Sequence, residues 1–250
     1  MRNKNGSKLW TIALAAVAGW LCGCGSPVVN SNRTPSPPPS AIPVAGEEID
    51  KATNVRFSTY SKEWPVNWQW IDPDERNPTP HDIKTSVLRI KVPTGKDLYG
   101  DNRSAARYVK AIKGDFQIET RVKFLPKENY QGAGLLIFKD DNNYIRFERA
   151  YGGLGGGADG VRIDVRKGDE FTPLVTTADI QTEAPEVDLK MVRTGRVFRA
   201  YWRVDEENEW REAGEFQSDY ADTVLAGVIA CNTAREIVAE FAYIRLLPVP

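Results

Sequence analysis

Carboxylates two residues apart on an extended strand share one face, and retaining glycosidic hydrolysis needs two carboxyl groups about 5–5.5 Å apart. Glu48-Ile49-Asp50 and Glu186-Val187-Asp188 have that spacing. They run on into Lys51-Ala52-Thr53 and Leu189-Lys190-Met191, without the closing glutamate such a motif carries, so both read as solvated strand ends. Gly155-Gly156-Gly157-Ala158-Asp159-Gly160 satisfies G-x-G-x-x-G, but a phosphate cradle needs a helix N-terminus behind its glycines. Here Val161, Ile163 and Val165 alternate with Arg162, Asp164 and Arg166 as a strand would. The stretch Gly152 to Gly160 therefore reads as a flexible loop, with a place on the rim of a binding site as its functional alternative. Asp140-Asp141-Asn142-Asn143 is rich in oxygen donors, yet consecutive residues do not converge on one ion and no EF-hand spacing exists, which makes it a hairpin turn. His81 has no second histidine and no G-x-S-x-G elbow to work with, and reads as an exposed loop residue. One histidine, and one cysteine (Cys231) outside the first 24 residues, exclude a zinc site. No catalytic constellation, metal site or cofactor is expected.

What remains is a polar strand face. Tyr144, Arg146 and Glu148 alternate with Ile145 and Phe147, so the first three point outward and the other two fill a core. Arg107, Arg121 and Arg162 stand on other predicted strands that could share the sheet, although strand pairing is not legible from one sequence. Sugars are held by stacking on aromatic rings and by hydrogen bonds from Arg, Asn and carboxylates, so Tyr144, Arg146, Glu148, Arg107 and Arg162 are the candidate ligand contacts. The competing reading is a cross-strand ladder of ion pairs facing water. Alternation further implies that truncating Phe147 costs core stability, whereas truncating Arg146 costs ligand contact and leaves stability unchanged. Of the tryptophans, Trp64, Trp68 and Trp70 are assigned to the core, with Trp68 and Trp70 facing together.

The elements that carry these residues are set by the rest of the sequence. A chain of 250 residues that is 41% hydrophobic and 27% charged is an ordinary globular composition, which excludes collagen, coiled-coil and multi-span membrane architectures. The net charge of -1 becomes more negative if Arg2, Lys4 and Lys8 are lost, so nucleic acid is not an expected partner. Those three residues precede an uncharged stretch from Leu9 to Gly23, too short for a comfortable span and suited to an export signal. Its end, Leu21-Cys22-Gly23-Cys24, resembles a bacterial lipobox. Residues 1–23 are then a leader, Cys24 the lipidated N-terminus, 24–48 a Pro/Ser-rich tether, and 49–250 a single domain. Gly25 follows Cys24 where an inner-membrane retention signal has Asp; the expected place is the cell envelope, outer membrane or cell surface rather than cytoplasm, with the choice of membrane and leaflet not legible. Cys231, left without a partner thiol and set in an apolar run, is expected as a buried free thiol.

Period-two alternation dominates residues 49–250: Asp115 to Phe124, Val161 to Val165, Leu88 to Val92 and Phe198 to Val204. Ala133 to Phe138 and Val224 to Cys231 are continuous apolar runs, as in strands covered on both faces. No long segment has a helical stripe. The fold class is all-β, an antiparallel β-sandwich. Trp68-Gln69-Trp70, Gly114-Asp115-Phe116, Tyr130-Gln131-Gly132-Ala133-Gly134-Leu135-Leu136 and Asp141-Asn142-Asn143-Tyr144-Ile145 come in an order and spacing that resemble the concanavalin A-like jelly-roll domains of the DUF1349 type. The pattern is also similar to the non-catalytic C-terminal sandwich of family 43 β-xylosidases. The resemblance runs from Val55 to Leu247; Val204 to Trp210 departs from it as a longer, more acidic hairpin. It implies two antiparallel sheets, one concave, with ligand contacts on the concave face. The function expected is an envelope-anchored, non-catalytic domain binding a polysaccharide or oligosaccharide. The alternatives are a glycoside hydrolase or lyase on the same sandwich, and a structural lipoprotein that binds an envelope protein. The oligomeric state is not legible.

Overall fold

Apolar residues at every second position cannot be buried singly, so successive strands pair and close two sheets over the shared apolar face. A computed structural model describes residues 45–55, 57, 65, 67–220, 222–231 and 234–249. The leader, Cys24, the tether as far as residue 44, and Trp64 lie outside the described residues. The strands are β1 (Glu47–Glu48), β2 (Thr53–Val55), β3 (Trp68–Ile71), β4 (His81–Lys84), β5 (Val87–Val92), β6 (Arg107–Lys113), β7 (Phe116–Phe124) and β8 (Gly132–Asp140). They continue as β9 (Asn143–Tyr151), β10 (Asp159–Lys167), β11 (Glu170–Val175), β12 (Glu186–Thr194), β13 (Val197–Arg203), β14 (Arg211–Gln217), β15 (Thr223–Cys231) and β16 (Ile237–Leu247). No helix occurs among the described residues.

The first sheet runs β1-β6-β15-β8-β9-β10-β11, with β3 also on β6; the second runs β14-β13-β12-β7-β16-β5-β4, with β2 also on β16. Pairing is antiparallel except between β1 and β6. Consecutive strands thus lie in different sheets at several points, as a jelly roll requires. The two inner faces make the main core, with Leu135, Ile145, Phe147 and Ile163 from one sheet against Ile118, Val122, Leu189 and Phe241 from the other. Trp68 belongs to it, stacked on Tyr108 at 4.9 Å, while Trp70 is partly buried and stacks on His81 at 3.8 Å.

A second, smaller core lies on the outer face of the first sheet: Val109, Leu136, Phe138, Tyr144, Ile229 and Cys231, under Leu98 and Ala105. Those two residues come from the connection between β5 and β6, which folds back over the sheet. This lid is why the apolar runs in β8 and β15 have no polar face, and it buries the free thiol of Cys231. Asp141-Asn142 forms the two-residue turn between β8 and β9, and residues 152–158 form the loop between β9 and β10.

Three expectations need correction. Arg121 is on β7, in the second sheet, away from Arg107 and Arg162. Asp188 is not a solvated strand end: it is fully buried and accepts hydrogen bonds from Arg121 Nε (2.9 Å), Arg203 Nε (2.9 Å) and the Tyr243 hydroxyl (3.3 Å). His81 is exposed as expected, but it opens β4, paired with Ile90 of β5, rather than sitting in a loop, and its ring stacks on Trp70.

Phe147 has no exposed surface and lies in the centre of the main core. Phe147→Ala is expected to cost about 3–5 kcal/mol through the cavity it leaves, measured as a shift in the urea midpoint at unchanged slope.

Candidate functional site

Register builds the site. Arg146 on β9 stands directly opposite Asp164 on β10, and Glu148 directly opposite Arg162, so charges of opposite sign alternate across two strands. Arg146 Nη2 donates to Asp164 Oδ2 at 2.9 Å, and Arg162 donates to Glu148 Oε2 from Nη2 at 2.8 Å and from Nε at 3.0 Å. Arg162 Nε is also 3.1 Å from Asp164 Oδ2. The outer face of β9 was expected to point into water, either as a ligand face or as an ion-pair ladder. It does not: Tyr144 and Glu148 have no exposure, Arg162 has 2% and Arg146 4%.

The cover comes from the β5–β6 connection and from two loops. Asp97 Oδ1 accepts from Arg146 Nη1 at 3.1 Å, and the carbonyl of the next residue, Leu98, accepts from the Tyr144 hydroxyl at 2.5 Å. Arg162 Nη1 donates to the Gly152 carbonyl at 3.3 Å and Nη2 to the Tyr130 carbonyl at 3.5 Å. Beneath them, a Cβ on Gly132 would lie 2.6 Å from Glu148 Oε2, so the glycine is what gives the carboxylate room. Arg107 is on the same sheet but serves elsewhere, its guanidinium 4.3 Å over the Phe138 ring and 4.0 Å from Asp141.

The energetics of this layer follow from its burial. Burial alone would raise the Glu148 carboxyl, but the charges of Arg146 and Arg162 and the hydrogen bond from Arg162 outweigh it and hold the group below its ordinary value. Arg146 is driven the other way by Glu148, Cys231, Asp164 and Asp97, which overcome its own desolvation and raise it well above the usual guanidinium value. Burial pushes the Tyr144 hydroxyl up to about 12 and the Cys231 thiol up as well, although Arg146 Nη1 lies 3.3 Å from that sulfur. Glu148, Arg146 and Arg162 therefore keep their charges at neutral pH.

Above the layer opens a cavity of about 360 Å³, of the size that takes small ligands. Arg146, Arg162, Asp97 and Asp164 form its polar floor, and Tyr99, Tyr130, Leu154 and Phe171 its walls. Of the expected contacts, the structure brings Arg146 and Arg162 to the cavity; Tyr144 and Glu148 lie beneath, and Arg107 to one side. Asp164 shares the polar face of β10 with Arg162, so its place was legible from alternation. Asp97, Tyr99, Tyr130, Leu154 and Phe171 carried no such signal. Gly153 and Leu154 belong to the glycine-rich loop, which does stand on the rim.

Tyr130 is unusual. Its φ is 71°, a left-handed conformation that a bulky residue adopts only under constraint. Hydrogen bonds from its own N–H to the Tyr151 carbonyl (3.1 Å) and from Lys127 N–H to the Gln131 side chain (2.7 Å) hold the turn, leaving the ring 40% exposed on the cleft wall. Tyr99 also lines the cleft, edge-on to Phe171 with centroids 4.8 Å apart.

The family model described as "Protein of unknown function (DUF1349)" matches residues 75–248. No curated protein sequence matches the chain. Among solved structures, a functionally unknown protein from Saccharomyces cerevisiae is 15% identical with a TM-score of 0.61, over 74% of this chain and 98% of the yeast one. Bacteroides ovatus GH43B, of a xyloglucan PUL, is 16% identical with a TM-score of 0.63, over 78% of this chain and 39% of its own. The carbohydrate recognition domain of Emp47p is 10% identical with a TM-score of 0.53, over 82% of this chain and all of that domain. The concanavalin A-like sandwich is common to them, and this chain spans well under half of the Bacteroides protein.

The buried charge layer makes Arg146 a structural residue, contrary to the expectation that its loss leaves stability unchanged. Arg146→Met is expected to destabilise by about 3–5 kcal/mol, because Asp97 loses its counter-ion and Asp164 one of its two while both keep their burial; chemical denaturation checks it. Glu148, with its folded pKa depressed, stabilises the fold fully above its ordinary value of 4.5 and ceases to do so as pH falls through the lower folded value. Stability should therefore drop on acidification below about pH 4.5, and Glu148→Gln should flatten that limb of the curve.

Proposed function

The chain belongs to the DUF1349 family, and from that membership and the geometry of the cleft we propose that it binds a saccharide without cleaving it, on a domain held at a bacterial cell envelope by a lipid on Cys24. The observation that carries the reading is a fixed floor of guanidinium and carboxylate groups inside a cavity walled by Tyr99, Tyr130 and Phe171. Sugars present apolar C–H faces and rings of hydroxyls, and aromatic walls over a polar floor suit both. The strained backbone at Tyr130 supports it further, since a conformation that costs stability persists where a side chain must be presented. Similarity in fold to a carbohydrate recognition domain and to the Bacteroides GH43B protein agrees with this reading.

A hydrolase or lyase is the second reading, favoured by three carboxylates, Asp97, Glu148 and Asp164, in one cluster. Glycosidic hydrolysis needs one carboxylic acid with a raised pKa to protonate the leaving oxygen. Glu148 is held in the opposite direction. Asp97 and Asp164 each have one oxygen held in an ion pair with Arg146. The cluster is a set of fixed ion pairs, which serves binding.

A glycan array read in parallel with a reducing-sugar assay tests this: retention without release of reducing ends is expected, and release would establish the enzyme. Tyr130→Gly should raise stability by about 1 kcal/mol through relief of the left-handed backbone, as read from the melting temperature, while retention on the array falls. For the anchor, Cys24→Ser should move the protein out of the membrane fraction or leave an unprocessed precursor, checked by fractionation and intact mass.

A further inference from the structure

The arginines of the cleft suggest an acidic ligand, but every Nη already donates to a group of the protein. Arg162 gives Nε and Nη2 to Glu148 and Nη1 to the Gly152 carbonyl. Arg146 gives Nη1 to Asp97 and Nη2 to Asp164, and its Nε is sealed from solvent. The carboxylates are the opposite case. Asp97 uses Oδ1 and Asp164 uses Oδ2 in these pairs, and their second oxygens, Asp97 Oδ2 and Asp164 Oδ1, take no hydrogen bond among the described residues. Neither is among the sealed polar atoms, and both residues line the cavity. With Glu148 beneath, three carboxylates stand against two guanidiniums, so the cluster carries net negative charge.

A ligand entering this cleft meets acceptors. Resting on the reading that the site holds a saccharide, we infer that its ligand is an uncharged sugar whose hydroxyls donate to Asp97 and Asp164, and that sugars bearing a carboxylate are rejected. A hydroxyl supplies the missing donor to each oxygen and adds no charge. A uronate supplies only acceptor oxygens at its carboxylate and brings like charge against like charge in a partly desolvated cavity, where repulsion is weakly screened.

Calorimetric titration of the full chain with four probes, cellotetraose, xylotetraose, tetraglucuronate and tetragalacturonate, tests the assignment. At least one neutral probe should bind, and both acidic probes should bind it weaker by roughly tenfold or more. Asp97→Asn and Asp164→Asn, each first checked for an intact melting transition, should weaken the neutral probe several-fold and narrow the gap to the acidic ones. Equal or tighter binding of an acidic probe overturns the inference and leaves saccharide binding standing. Neutral binding unchanged in both folded variants overturns the contact assignment. Failure of all four probes, together with silence on the array, removes the saccharide reading itself.

Discussion

Arg146 is the group on which the outer face of the first sheet depends. A guanidinium with 4% exposure has given up most of its hydration, a loss of several kcal/mol unless acids replace the water. One of its acids, Asp164, stands across the strand pair and comes with the register. Glu148 follows two positions along the same strand and shares its face. The third, Asp97, comes from far away in sequence and has to be delivered by the connection between β5 and β6. Delivering it seats Leu98 over Tyr144 and places Tyr99 on the cleft wall. The same charge thus sets the floor, the second core and one wall of the cavity. Asp188 in the second sheet is the complementary case, a single buried acid answered by Arg121, Arg203 and Tyr243.

Most of the fold was legible because period-two alternation is a local property and each strand displays it without reference to its neighbours. The grouping of Tyr144, Arg146 and Glu148 against Ile145 and Phe147 was correct for that reason. Exposure is not local. Whether a polar face meets water or a lid depends on a connection some fifty residues away that has no periodicity of its own, so the burial of Arg146 could not be read. Strand partners are equally non-local, which is why the sheet of Arg121 could not be read and Asp188 was assigned to solvent. Asp164 could have been added by carrying the alternation of β10 one step past Arg162. Nothing in the types of Tyr99, Tyr130 or Phe171 separates a cleft wall from any other half-buried aromatic.

A floor locked by ion pairs and a wall residue held in a strained turn have the same effect on recognition. Both are fixed before a ligand arrives, so little ordering has to accompany binding, and affinity is not lost to immobilising side chains. The cost falls on the free protein, in desolvated charge beneath the cavity and in left-handed backbone at its edge.

Most of the floor and the walls come from different kinds of segment. Arg146, Glu148, Arg162 and Asp164 sit in the middle of paired strands, where a change in one disturbs register and charge together. Tyr99, Tyr130 and Leu154 sit in three separate connections, where a wall side chain can change without altering strand register, provided the first connection still delivers Asp97 to Arg146. Such a division leaves the molecule able to diverge in what it recognises while its foundation stays the same. Relatives that keep Asp97 and the four strand residues and differ in the wall residues of these three connections should form a series of distinct specificities on one scaffold.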